Sequence, residues 1–220
     1  MKRTFLAAIM VLVSLPLTGC GGGSSSAPPP PTIVTQILSD PVYDGDIAND
    51  PGSDLFTITQ GMTQSVQSVF AGIDPAAGTE YRAFLDFPLT GAGGVPSNAI
   101  IESATLDIVI NSVQTLTGTV PIRIDLVYFQ PPWLIETDYR LDLQPALATI
   151  ATSIFQSDSD HHVFIDVTPL MTKAQHLGLP DFQIRILEDL GIVPPGLIEI
   201  NDTTGTLRGD RAPLLQVSYF

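Results

Sequence analysis

The chain has 220 residues, 44% of them hydrophobic, with 23 acidic against nine basic side chains and a formal net charge of −14. That length can bury the core of one ordinary domain or of a large β-sandwich, and so negative a surface repels phosphate backbones, which excludes nucleic acid as a partner. A single cysteine excludes an internal disulfide, so a hydrophobic core has to hold the fold.

Lys2 and Arg3 open the chain. An apolar stretch from Phe5 to Leu15 comes next, too short for a comfortable membrane span, and Leu17-Thr18-Gly19-Cys20 ends the segment. This pattern resembles the lipobox signal peptide of the bacterial lipoprotein family. The resemblance implies cleavage of residues 1–19 and lipidation of Cys20, and hence a membrane partner reached through a lipid anchor. The other reading is an ordinary signal peptide with an incidental cysteine, which leaves an odd free thiol in an exported protein. Each buried acyl methylene contributes about 0.8 kcal/mol, so the two or three chains usual in the family tie a protein firmly to one leaflet. Many inner-membrane members carry aspartate after the cysteine; Gly21 stands there instead, and the expected location is the outer membrane of the cell envelope. Cleavage removes two of the nine basic residues and none of the acidic ones, which takes the net charge to −16. That surface suits divalent cations or cationic polymers, or serves solubility alone.

Residues 20–31 read as a tether: Gly21 to Ser26 are flexible, and Pro28 to Pro31 form a stiffer spacer about 12 Å long at ~3.1 Å per residue. One domain is expected over residues 32–220. Its first candidate strand is Ile33 to Leu38. The segment Asp44-Gly45-Asp46-Ile47-Ala48-Asn49-Asp50, with Asp54 close behind, then gathers hard oxygen ligands of the kind calcium needs six to eight of. Calcium is therefore the candidate cofactor, on Asp44, Asp46, Asn49, Asp50 and Asp54. The spacing departs from the EF-hand template, and a solvated acidic turn explains the same residues.

Leu55 to Thr59, Ser68 to Gly72 and Tyr81 to Phe87 are the next candidate strands. From Ile100 to Asn111 the chain alternates, with Ala104, Leu106, Ile108 and Ile110 on one side, and Val120 to Phe129 repeats the pattern. Tyr128, Phe129, Trp133 and Tyr139 then cluster, and exposed aromatic faces stack on sugar rings; burial as core is the competing reading. A helical turn is expected in Leu143 to Ile150. Asp158-Ser159-Asp160-His161-His162 pairs two histidines, but neighbours on a strand point to opposite sides and seldom chelate one ion. After the strand Val163 to Val167, one helix is expected, with Thr168 as N-cap, Pro169 at the first helical position and Gly178 and Pro180 ending it. Its residues Leu170, Ala174 and Leu177 share a face that suits covering an open end of a sandwich. Strands follow at Phe182 to Ile186, Ile198 to Ile200 and Leu215 to Tyr219. Ten such strands, separated by Gly, Pro, Asn and Asp, predict an all-β, antiparallel β-sandwich with one short helix.

Several of these segments carry a further resemblance. Tyr81-Arg82-Ala83-Phe84-Leu85-Asp86-Phe87 and Ile100-Ile101-Glu102-Ser103-Ala104-Thr105-Leu106 are followed by Trp133 with Glu136 and Thr137, by Phe164 to Thr168 and by Ala212 to Tyr219. In order and spacing these resemble the DNRLRE-type domain family across most of residues 40–220, although the hexapeptide that names the family is absent and its Ser-x-Glu near the end is replaced by Glu199-Ile200-Asn201-Asp202. The resemblance implies a jelly-roll-like sandwich and a non-catalytic carbohydrate-binding-like module, with acidic polysaccharides among the ligands of some members. Independently of the resemblance, the aromatic cluster makes Trp133, Tyr128 and Tyr139 the candidates for ligand binding, and Arg82 and Arg123, on polar faces of their strands, can pair with glycan carboxylates or instead with Asp107, Asp125 or Glu199.

The function expected is an envelope-anchored, non-enzymatic lipoprotein that binds a polysaccharide or another extracellular polymer. The alternative is a structural or assembly lipoprotein docking on an envelope protein through a sheet edge or an apolar loop such as Leu190 to Leu197. A polysaccharide-degrading enzyme is the weaker alternative. The chain has no Gly-x-Ser-x-Gly elbow, and 23 acidic residues place some carboxyl pair at catalytic distance by chance.

Overall fold

The computed structural model describes residues 31–53, 55–61, 66–130, 133–189 and 194–220. In chain order the elements are β1 (Ile33–Leu38), β2 (Gly45–Asp50), β3 (Leu55–Gln60), β4 (Ser68–Ile73), β5 (Glu80–Pro88), β6 (Ile101–Thr115), β7 (Thr119–Val127), α1 (Glu136–Tyr139), β8 (Ala148–Phe155), β9 (His161–Asp166), α2 (Thr168–Leu177), β10 (Asp181–Glu188), β11 (Gly196–Asn201), α3 (Arg208–Arg211) and β12 (Leu214–Tyr219). All ten expected strands are present. Residues 190–193 of the apolar loop, Asp54, Cys20 and the tether up to residue 30 lie outside the described residues.

The strands form one antiparallel sheet in the order β1-β12-β6-β11-β4-β5-β10-β7-β8, with the β2–β3 hairpin attached to β5 and β9 attached to β6. It curls on itself, so that Val69, Leu85, Ile108, Ile124, Ile184, Ile198 and Val217 from opposed strands meet in one core. The protein is an all-β, jelly-roll-like antiparallel sandwich. Each fully buried aliphatic or aromatic side chain contributes about 1.5–3 kcal/mol to holding it together. α2 closes one end by burying Leu170, Met171 and Ala174. Leu177, expected inside, is 46% exposed, and the helix begins at Thr168 instead of being capped by it. The Thr168 hydroxyl accepts the Ala104 N–H at 2.8 Å and so ties α2 to β6. Gly178, with φ of 65°, ends the helix in the left-handed conformation that glycine adopts at little cost.

Three expectations change. All of the acidic segment but Asp44 is a strand, because Ile47 and Ala48 are buried and Gly45 to Asn49 pair with β3 on one side and β5 on the other. The helical turn expected in 143–150 gives way to β8, whose β-branched Thr149, Ile150, Thr152 and Ile154 suit a pleated surface and pair with β7. Besides α2, two single-turn α-helices, α1 and α3, and a 3-10 turn at Gln156–Asp158 are present.

β6 runs past Asn111, where its alternation fails. Glu199 faces Ser112 while Ile200 faces Ile110, so Asn111 is one extra residue on this strand. The inward positions 104, 106, 108 and 110 are accordingly followed by Val113 instead of residue 112.

β5, β10 and the second half of β7 are buried on both faces. Between β7 and β8 the chain leaves the sheet at Tyr128 and returns at Leu147, crossing their outer side. It forms a second, smaller core of Ile47, Phe84, Val127, Phe129, Leu134 and Tyr139, with Phe56 against it. Side chains from the strands beneath satisfy its main-chain groups in place of a ladder. Gln183 accepts the Phe129 N–H at 3.0 Å, and Gln60 accepts that of Leu134 at 3.0 Å. Arg185 donates to the carbonyls of Asp138 and Gln144 at 2.9 and 3.1 Å, and Arg82 donates to the Tyr139 carbonyl.

Candidate functional site

The β2–β3 hairpin stands out from the sheet with a concavity on each side, because its side chains alternate between two faces. On the face that carries Ile47 and Asn49, a groove of about 590 Å³ separates the hairpin from α1 and the residues after it. Asn49 and Phe56, direct cross-strand partners, form the hairpin wall. Glu136, Tyr139, Arg140, Leu141 and Asp142 form the opposite wall, and Arg82 from β5 lies at the base.

Tyr139 is the centre of this groove. Its ring meets Phe56 edge-on at 5.1 Å, and the Arg82 guanidinium sits 3.8 Å from its centroid, a cation–π contact. Burial, and then the neighbouring Glu80, push its phenol above the usual range. Among the described residues the Tyr139 hydroxyl and the Asn49 side-chain carbonyl are both buried without a partner in hydrogen-bond geometry, although Asn49 and Glu80 lie close to the phenol. Buried polar atoms in that state cost about 1–3 kcal/mol each unless something else meets them.

Arg82 is committed within the protein. Its guanidinium pairs with Glu80 at 2.7 Å as well as with the Tyr139 carbonyl. Arg140 pairs with Asp142 at 3.3 Å on the exposed rim. With Glu136 also present, the groove carries no excess of positive charge.

Of the residues expected to bind ligand, the structure therefore brings together Tyr139 and Arg82. Trp133 is 40% exposed and stands edge-on to Tyr43 at 6.0 Å, away from the groove. Tyr128 is 42% exposed and also outside it. Arg123 lies on the outer face of β7, where its Nη2 donates to Asp125 at 3.2 Å; its Nε is 3.0 Å from the same carboxylate but too poorly angled to donate. Sequence reasoning missed Phe56, Arg140 and Asp142, and it assigned Asn49 to a metal.

The residues read as a calcium loop do not converge. Asp46 and Asp50 face one side of the hairpin and Asn49 the other. Asp50 accepts from Gly52 N and the Ser53 hydroxyl in its own turn. Asp44, fully buried, accepts the Asp86 N–H at 2.8 Å. Asp54 lies outside the described residues, among which no group of three or more His, Cys, Asp or Glu is arranged to hold a metal. His161 and His162 are likewise separate, one on the Ser159 carbonyl and one on Asp107.

No protein-family model and no curated protein matches this chain. Among solved structures, one of the infectious bursal disease virus Gx strain aligns with 86% of the chain at 11% identity and a TM-score of 0.16. The chain spans 36% of that viral protein's length, and so slight a likeness bears on neither fold nor function.

Proposed function

We propose that this protein is an envelope lipoprotein, acylated at Cys20, whose sandwich is a non-enzymatic carbohydrate-binding-like module that holds a polysaccharide in the groove beside α1. The observation that carries the reading is the pairing of two aromatic rings, Phe56 and Tyr139, with the polar side chain of Asn49 beside them on an open groove of about 590 Å³. Sugar rings offer apolar C–H faces to Phe56 and the edge of Tyr139, and hydroxyls to the Asn49 side-chain amide. Because Arg82 and Arg140 are neutralised by Glu80 and Asp142, the groove suits a neutral glycan better than a uronate polymer.

A glycan array probed with the full chain, with and without calcium, tests this. Neutral oligosaccharides are expected to bind regardless of calcium. Phe56→Ala should weaken them by about tenfold, the equivalent of ~1.4 kcal/mol of stacking and apolar contact. Binding to no glycan, or binding indifferent to both Phe56→Ala and Asn49→Ala, overturns the reading. The anchor has a separate measurement: Cys20→Ala should abolish incorporation of labelled palmitate, and a variant labelled as before refutes it.

One observation favours the assembly reading as a second choice. Among the described residues β3 pairs only with β2, and it exposes Leu55 (67%) and Ile58 (38%) along an edge that an envelope protein could extend by strand addition.

A further inference from the structure

The opposite side of the β2–β3 hairpin holds a second concavity, of about 420 Å³, lined by Asp46, Ala48, Asp50, Thr57, Thr59, Phe70, Thr79 and Tyr81. We infer that this cleft is a binding site for a primary ammonium group, carried on an amino sugar or another organic amine, with Asp46 as its counter-ion.

Asp46 is the reason. Its residue is 3% exposed, and one carboxylate oxygen accepts the Phe70 N–H at 3.2 Å. No other donor and no basic side chain among the described residues reaches it, and none lines the cleft. A buried carboxylate without a cation is costly unless it is protonated or a ligand supplies the charge. The groups facing it fit a ligand. β3 contributes only the hydroxyls of Thr57 and Thr59, the turn before β5 contributes that of Thr79, β4 contributes the Phe70 ring, and β5 contributes Tyr81. The two rings lie 5.6 Å apart at 51° and give an apolar, electron-rich wall.

A primary ammonium has three N–H donors, which one carboxylate oxygen and the threonine hydroxyls can accept; a quaternary ammonium would leave those hydroxyls unused. The volume far exceeds one ammonium group, so the amine comes with a ring or chain to lie along Phe70 and Tyr81. Asp50, on the same face of β2 at the exposed end of the strand, and Asp74, near Tyr81, add negative potential from further off.

Burial raises the Asp46 pKa to about 7, opposed by the Phe70 hydrogen bond, and this gives the site a pH signature. The carboxylate is charged above that value and neutral below it. The cleft and the glycan groove lie on opposite faces of the hairpin, so failure of one site leaves the other standing.

Calorimetric titration of the full chain with n-butylamine, a glucosamine oligomer and the N-acetylated form of that oligomer tests it. An alkylamine stays charged to about pH 10, as lysine does, so its affinity reports Asp46 alone. Both amines are expected to bind at pH 8, with n-butylamine weakening by about tenfold for each pH unit well below 7. The acetylated oligomer, uncharged, should gain nothing from this cleft. Asp46→Asn keeps the acceptor for Phe70 N–H and should weaken both amines at least tenfold; Thr57→Val, on the exposed edge strand, should weaken them about fivefold. Tighter binding of the glucosamine oligomer than of both butylamine and the acetylated oligomer, lost in Asp46→Asn, identifies an amino sugar as the carrier, and tighter binding of butylamine identifies a simple amine. Absence of amine binding, or binding unaffected by Asp46→Asn, overturns the inference.

Discussion

Arg185→Met is expected to lower folding stability by about 3 kcal/mol, near the bottom of the range for breaking a buried ion pair. Arg185 and Asp125 are both fully buried, 2.7 Å apart, on adjacent strands β10 and β7. Methionine keeps much of the volume, so the loss is mainly electrostatic. Asp125 keeps Arg123 and the Thr149 hydroxyl, which limits the damage. The carbonyls of Asp138 and Gln144 lose their donor at the same time. For a domain of this size the melting temperature should fall by roughly 6–12 °C. Urea unfolding checks the cause: the midpoint should move with little change in slope. Adding Asp125→Leu should recover part of the loss, because no fully buried charge of the pair then remains and Arg123, which loses its partner, is partly exposed to solvent. A single-variant loss under about 1 kcal/mol would show that the pair is dispensable.

The protein should also become more stable on mild acidification. Burial raises the pKa of Asp46 to about 7 and those of Asp86 and Asp202 to about 6, and it raises Asp44 well above the usual carboxylate range. In each the folded state holds a proton more tightly than the unfolded chain. Between about pH 4 and 7 folding therefore takes up protons, and stability rises as pH falls. Asp44 and Asp202 make the case structurally: the two carboxyls meet within hydrogen-bonding reach, with the Ser39 hydroxyl also beside Asp44 and opposing its protonation. One shared proton satisfies both. Arg208, 3.3 Å from Asp202, opposes protonation there but does not cancel the burial of Asp44. Asp142 and Asp166, with lowered pKa values, are almost fully exposed and oppose the trend weakly. Discounting the shifts by half, going from pH 7.5 to pH 5 should add about 3 kcal/mol, or roughly 6–12 °C in melting temperature. Thermal melts across that interval decide the matter. A melting temperature that falls steadily on acidification would refute it, and Asp46→Asn should flatten the upper part of the curve.

The strands were legible wherever one face is buried and the other faces solvent, as in Leu215 to Tyr219, because period-two alternation has no competing explanation there. β2 was hidden by its composition: Asp46, Asn49 and Asp50 are turn residues by propensity, and only the pairing of Gly45 to Asn49 between β3 and β5 overrides that. The end of β6 was hidden by the extra residue at Asn111, which reverses the parity of the positions after it. At the groove, Tyr139 and Arg82 were visible as residue types. Their partners were not, because Phe56 and Asn49 come from a hairpin some 80 residues earlier, and no local pattern shows which segment will lie across the outer face of a sheet. Arg82 and Arg123 were read as hands for a ligand, whereas each has a carboxylate two residues away on its own strand face, at Glu80 and Asp125. That spacing was present in the sequence.

The crossing from Tyr128 to Leu147 is gripped from below by Gln60, Arg82, Gln183 and Arg185, and every one of those grips takes a main-chain atom. Backbone atoms are the same whatever side chains the segment carries. The sandwich is thus a socket indifferent to the residues exposed above it, and a segment of equal length with other side chains at positions 136 and 140–142 could be grafted there without disturbing its seating. Recognition would change while the scaffold stayed the same.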